Sequence, residues 1–198
     1  LFRSTANLGA GPLADLALSA RDGTVAMKGV AQASRLFAGQ TAVLLGPETA
    51  IDLTARLDKR KADIDGRLSS NAVRLGVSGG VDLGNNRYED LRLALNILRP
   101  DALAKSVRGS GLRATAALDG AFALPTVAYQ ANANSLAFND IVVETLSLAG
   151  KARFDADQIF VPVVGRAVRI RGLDTVAGGT LVQVRLDGDL AYKDGRIL

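Results

Sequence analysis

The sequence predicts an all-β chain: a long, curved antiparallel-type sheet with one or two short helices, its apolar face left as a half-open groove or closed as a β-sandwich. Three observations carry this. Apolar and polar residues alternate with period two through most of the chain, which marks strands with one wet and one dry face. Glycine recurs among the dry positions. Across six strips the dry set holds no charged residue, while arginines fall on the other side.

The composition narrows what the dry face can be. Of the residues, 48% are hydrophobic but only 5% aromatic, with no Trp, so the apolar content is mostly Leu, Val, Ile and Ala. The net charge of +4 is spread out, and only Asp58-Lys59-Arg60-Lys61 forms a basic cluster. A nucleic-acid surface needs a concentrated basic stripe, so no nucleic-acid partner is expected. With no His and no Cys, the chain lacks the commonest general base, the commonest transition-metal ligand and any disulfide. It opens on Leu1-Phe2-Arg3 and has no run of about 18 apolar residues that could span a membrane. The expectation is a single segment, 1–198, of a longer protein whose targeting portion lies elsewhere, with sub-sections 1–49, 50–99 and 110–198 and a connector at 99–111.

The strands follow from the alternation. Residues 51–57 set Ile51, Leu53, Ala55 and Leu57 against Asp52, Thr54 and Arg56; residues 58–61 turn the chain, and Ala62, Ile64, Gly66 and Leu68 resume the dry side. Val73, Leu75, Val77, Gly79, Val81 and Leu83 make the next strand, and Gly84-Asn85-Asn86 supplies turn chemistry. Leu91, Leu93, Leu95 and Ile97 follow. Pro100 to Arg108 reads as a short helix with Pro in its first turn and Gly109 past its end. The alternation returns at Leu112–Leu118, at Val127, Tyr129 and Ala131, at Leu136 and Phe138, and over 141–154 and 180–192. Residues 31–38 read as a second short helix, and 171–179 as a glycine-rich loop. An apolar residue, any residue, then Gly recurs at Gly29, Gly66, Gly79, Gly120, Gly150 and Gly188. Glycine inside strands marks bends or close approaches, so the sheet is expected to curl.

Catalytic patterns find no support. Gly76-Val77-Ser78-Gly79-Gly80 matches the nucleophile-elbow string, but Ser78 falls within an alternating strand and no His exists to take its proton. Asp63 with Asp65, Asp187 with Asp189, and Asp155 with Asp157 share strand faces without a calcium-type ligand loop. They read as solvated charges pairing with Arg56, Arg185 and similar residues across strands. No phosphate-cradling glycine loop is present, and Tyr88, Tyr129 and Tyr192 are too scattered for a stacking platform. The chain is therefore read as non-enzymatic, without cofactor or metal.

The dry face remains. Burial demands the observed segregation of charge, since an unpaired charge in an apolar medium costs several kcal/mol or more. The medium can be a second sheet about 10 Å away, a bilayer around a barrel, or acyl chains in a half-open sheet. A barrel would carry aromatic girdles, and this chain has few rings.

Residues 112–192 resemble the TamB family, within the AsmA-like superfamily of bridge-like lipid transfer proteins. The likeness rests on LRATAALDGAF, on SLAFNDIVVETLSLAGKARFD, on LVQVRLDGDLAY and on the connector-like LNILRPDALAKSVRGSGL. It extends more weakly back to about residue 50. The resemblance implies a "β-taco" in the periplasm of a Gram-negative bacterium, anchored in the inner membrane by a segment outside this chain. It implies a groove carrying phospholipids toward the outer membrane and a TamA-like outer-membrane assembly partner met through another region. A scaffold for outer-membrane protein insertion, or a structural sandwich or adhesin segment, are the alternatives. The lining carried over is Leu53, Leu75, Val77, Leu93, Leu95, Leu118, Tyr129, Leu136, Phe138, Leu148, Phe154, Val184 and Leu186.

Overall fold

The computed structural model describes residues 2–7, 12–35, 37–155, 158–173, 179–193 and 196–197. Strands β1 (Phe2–Asn7), β2 (Pro12–Arg21) and β3 (Thr24–Ala31) lead into a 3-10 turn at Ala33–Arg35 and helix α1 (Gly39–Leu45). Then come β4 (Thr49–Asp58), β5 (Lys61–Ser69), β6 (Val73–Asp82) and β7 (Arg87–Ile97). A 3-10 turn at Pro100–Ala102 precedes β8 (Val107–Ser110), β9 (Leu112–Ala121), β10 (Thr126–Phe138) and β11 (Ile141–Asp155). The chain ends in β12 (Gln158–Leu173), β13 (Gly179–Lys193) and β14 (Arg196–Ile197).

All fourteen strands belong to one antiparallel sheet whose strand order follows the sequence, with β8 set aside to pair with β10. Tight hairpins impose most of this order, because a two- to four-residue turn can only return the chain beside itself, while the longer links 32–48 and 98–111 carry the helical pieces and also lead to the neighbouring position. Among the described residues β1 pairs only with β2 and β14 only with β13, so the sheet does not close.

Burial rules out the sandwich. Among the described residues, the fully buried apolar side chains are Leu13, Val73 and otherwise alanines, and the largest side chain under 2% exposed is Thr49. Two sheets meeting face to face would bury the leucines of the dry face in this way. Here those leucines stay half-exposed.

The helices differ from expectation. The segment at 31–38 gives only a 3-10 turn, and α1 begins later, at Gly39. Pro100 does start a helical turn, but it lasts three residues, and Val107–Ser110 is drawn into the sheet by pairing with Ser135–Phe138. The loop expected at 171–179 is shorter, since β12 runs to Leu173 and β13 starts at Gly179. Both helical pieces pack at one rim. Ala72, Val73 and Ala102 form a buried cluster there, with Leu44, Leu95 and Ile97 against it. The Ser70 hydroxyl donates to Leu44 O at 2.7 Å and accepts from the backbone N–H groups of Ala72 and Val73 at 3.1 Å each. Thr49 donates to Leu45 O at 2.8 Å.

The opposite rim is made of hairpin turns. Asp82, its side chain 5% exposed, accepts hydrogen bonds from Asn85 Nδ2 (2.8 Å), Asn85 N (2.9 Å) and Gly84 N (2.8 Å). The side-chain bond from Asn85, followed by its backbone bond, holds the carboxyl below its ordinary 3.8. A depressed native value adds stability above 3.8 that is lost as pH falls through the native value. The urea midpoint of the wild type should thus decline on acidification below about pH 4 more than that of Asp82→Asn, which has no proton to take up there. Equal declines would refute this role for Asp82.

Candidate functional site

The register assembles the dry positions into rows that cross the sheet. One row runs Leu16–Gly29–Ile51–Leu68–Leu75–Leu95–Ala114–Ala131–Leu148–Gly165–Leu186, each residue directly opposite the next. It spans β2 to β13 and holds no charged or polar side chain. A second runs Leu18–Met27–Leu53–Gly66–Val77–Leu93–Ala116–Tyr129–Gly150. Leu118 lies beside them, opposite Leu91 and Val127, and Val184 lies opposite Ala167. Phe154 lies farther along β11, opposite Ile159. At strand spacings of about 4.8 Å, the first row makes a track about 48 Å long.

Of the expected lining residues, Leu53, Leu75, Val77, Leu93, Leu95, Leu118, Tyr129, Leu136, Leu148, Phe154 and Val184 are half-buried. Phe138 and Leu186 are more exposed, at 53% and 47%. An apolar cavity of about 210 Å³ opens on this face between Ile97, Leu112, Ala114, Ala131, Leu136, Leu146 and Leu148, with Arg113 and Asn132 on its border.

Leu136 reaches that cavity through a change of phase. On β10, Tyr129, Ala131 and Ala133 face the track, so strict alternation would send Leu136 outward. Instead, Gly111, Asn134, Thr145, Val168 and Gln183 form a line of positions missing from the ladders of β8 to β13. Gly111, Thr145 and Gln183 on that line have φ of 66°, 52° and 53°. Beyond it Leu136, Val143, Ile170 and Leu181 form a half-buried apolar row, while Glu144 pairs with both Arg169 and Arg171 on the outward side. The sides exchange across neighbouring strands together, and the track stays uncharged.

A bulge works similarly on β7. Its register slips by one residue against both β6 and β9 around Asp90, whose φ is 50°. The slip turns Tyr88, outward by alternation, opposite Val81 and Gly120, where it meets the edge of Phe122 with ring centroids 4.7 Å apart.

Tyr129 and Gly150 form the other local device. Pro162, inside β12, cannot donate to a ladder, and no pairing joins Gly150–Ala152 to Val161–Val163. The Tyr129 hydroxyl crosses this gap and donates to Pro162 O at 2.6 Å. Burial raises its pKa above the ordinary 10.0. A Cβ at Gly150 would collide with Pro162 O and lie 2.5 Å from the hydroxyl.

The chain matches no protein-family model, no curated protein and no solved structure.

The remaining sequence candidates lie outward. Ser78 is exposed in mid-strand between Asp65 and Arg92. Asp63 stands opposite Arg56 as expected. Asp187 and Asp189 instead face Val164 and Pro162, and Arg185 faces Arg166. Asp157 and the side chain of Asp155 lie outside the described residues. A cavity of about 610 Å³ opens on this outward side, over Gly76 and Ala94, where small residues leave room between Arg67 and Arg92. Its Lys28 and Asp52 are ion-paired at 3.0 Å.

Proposed function

We propose that this chain is a non-catalytic, periplasmic segment of a TamB-like protein whose uncharged track holds phospholipid acyl chains in transit between two membranes. The observation that carries the proposal is the half-exposed row from Leu16 to Leu186, which crosses eleven strands without a polar side chain. Each methylene moved from water onto such a wall gains about 0.8 kcal/mol. A lining of Leu, Val, Ala and Gly supplies this without fixing one geometry, as a passage for varied chains needs. The strips that carry the TamB resemblance fall on β9, β10–β11 and β13, four of the eleven strands the track crosses. Head groups would stay at the rim, where the charged residues begin.

A second reading, a scaffold that templates client strands, is favoured by one observation. Beyond Tyr192 and Lys193, which pair with β14, the outer edge of β13 has no partner among the described residues. Such an edge can add a strand through main-chain hydrogen bonds.

Native mass spectrometry of the purified protein with lipid extraction separates the two. Co-purified phospholipid, or uptake of a labelled one, is expected. A protein that is empty and takes up neither labelled lipid nor an apolar dye would refute the conduit.

A further inference from the structure

From Ile159 to Val164 strand β12 is apolar on both sides. Inward it offers Ile159, Val161, Val163, Gly165 and Ala167; outward it offers Phe160, Pro162 and Val164, then Arg166 and Val168. A strand wet on one side alternates apolar with polar residues, whereas one covered on both sides is apolar throughout. Yet Phe160 is 37% exposed, Val164 54% and Val168 53%, so the described chain leaves each of them partly open.

On its β11 side, and at Arg166, the residues beside this stripe are cationic. Arg153 stands directly opposite Phe160, and Lys151 lies one step along β11. Arg166 stands opposite Arg185, and directly opposed like charges are destabilising unless a counter-charge joins them. None of these four cations has an ion pair among the described residues. The described outward carboxylates of β9 to β12 are already engaged: Asp119 by Arg87 at 3.8 Å, and Glu144 by Arg169 at 3.5 Å and by Arg171. On the β13 side Asp187 and Asp189 stand directly opposite Val164 and Pro162, so the cationic field lies along the β11 side of the stripe and at Arg166 and Arg185. Between the cations lies an open hollow of about 620 Å³ floored by Ala149, Gly150, Pro162 and Val164 and bordered by Lys151 and Arg153.

We infer that the outward face of β10–β12 docks onto a bilayer surface containing anionic phospholipid. Phosphates settle on Lys151, Arg153 and Arg166, and Phe160 and Val164 enter the interface. An apolar stripe with exposed cations along its β11 side and at its Arg166 end suits a field of mobile phosphates, and a Lys or Arg near such a surface is worth about fivefold in binding. This face is the reverse of the acyl-chain track, so the inference does not rest on the conduit reading.

Flotation of the purified protein with vesicles tests it. The wild type is expected to float with phosphatidylcholine vesicles containing phosphatidylglycerol, to stay down with phosphatidylcholine alone, and to be released by salt. Lys151→Glu with Arg166→Glu should weaken anionic-vesicle binding at least tenfold, while Lys151→Arg with Arg166→Lys keeps it. Uptake of a labelled fatty acid should be unchanged in the charge-reversed protein, and Leu148→Arg should lose uptake but still float. Equal flotation with both vesicle types, or full binding by the charge-reversed protein, overturns the inference. So does capture of an acidic amphipathic peptide by a protein that ignores vesicles, since the occupant would then be a protein.

Discussion

Leu148→Arg is expected to leave the sheet folded and to lower labelled-lipid uptake at least tenfold. Leu148 stands in the centre of the track's second half, between Ala131 and Gly165. It also lines the apolar cavity on that face. Being half-exposed, it can be replaced by a long side chain that turns its charge toward water, which keeps the cost to folding near 1–2 kcal/mol. An acyl chain has no such escape, because it would lie against a desolvated guanidinium or leave that stretch of wall uncovered. About 1.4 kcal/mol lost from binding already gives a tenfold change. Far-UV circular dichroism and a fluorescent-lipid titration measure the two halves of this expectation. A folded variant with wild-type uptake would mean that the track is not where lipid sits. Leu95→Arg is a poorer choice, since Leu95 also packs on the Ala72–Val73–Ala102 cluster and would confound folding with binding.

Gly150→Val should lower stability by roughly 3 kcal/mol, or about 6–12 °C in Tm for a chain of this size. The new side chain would occupy the space through which Tyr129 reaches Pro162 O, so the hydrogen bond breaks and β12 is pushed off β11. The control is Gly188→Val, where an added Cβ meets nothing within 4 Å. That change should stay within about 0.5 kcal/mol of wild type. Calorimetry on the pair decides the matter: equal losses would show that strand propensity, and not the Tyr129 bridge, sets the cost.

The stretch from Ile51 to Ile97, apart from the bulge at Asp90, was legible because its strands alternate and its turns carry Gly, Asn and charged residues. The uncharged track was legible for the same reason, since period two assigns sides without any knowledge of partners. The expected helix at 100–108 failed because local capping signals were outweighed by ladder pairing of Val107–Ser110 with β10. The bulge at Asp90 could not be read, since an aspartate among polar neighbours gives no sign that its backbone is left-handed, and alternation continued back from Leu91 would point Tyr88 outward. Leu136 and Phe138 stood out only as apolar residues out of phase with Ala131, and the structure supplies the reason at Asn134. Strand β12 was missed altogether. Ile159 to Val164 has no alternation, and a run apolar on both sides looks the same whether it is a strand or part of a helix.

The line through Gly111, Asn134, Thr145, Val168 and Gln183 also has a mechanical meaning. It runs along the hydrogen-bonding direction, across neighbouring strands, at positions where the ladders are interrupted. A sheet resists bending through those ladders, so an aligned set of gaps is a crease. The strip beyond it, bearing Leu136, Val143, Ile170 and Leu181, is therefore joined to the rest of the wall by fewer ladder bonds than an uninterrupted sheet would supply.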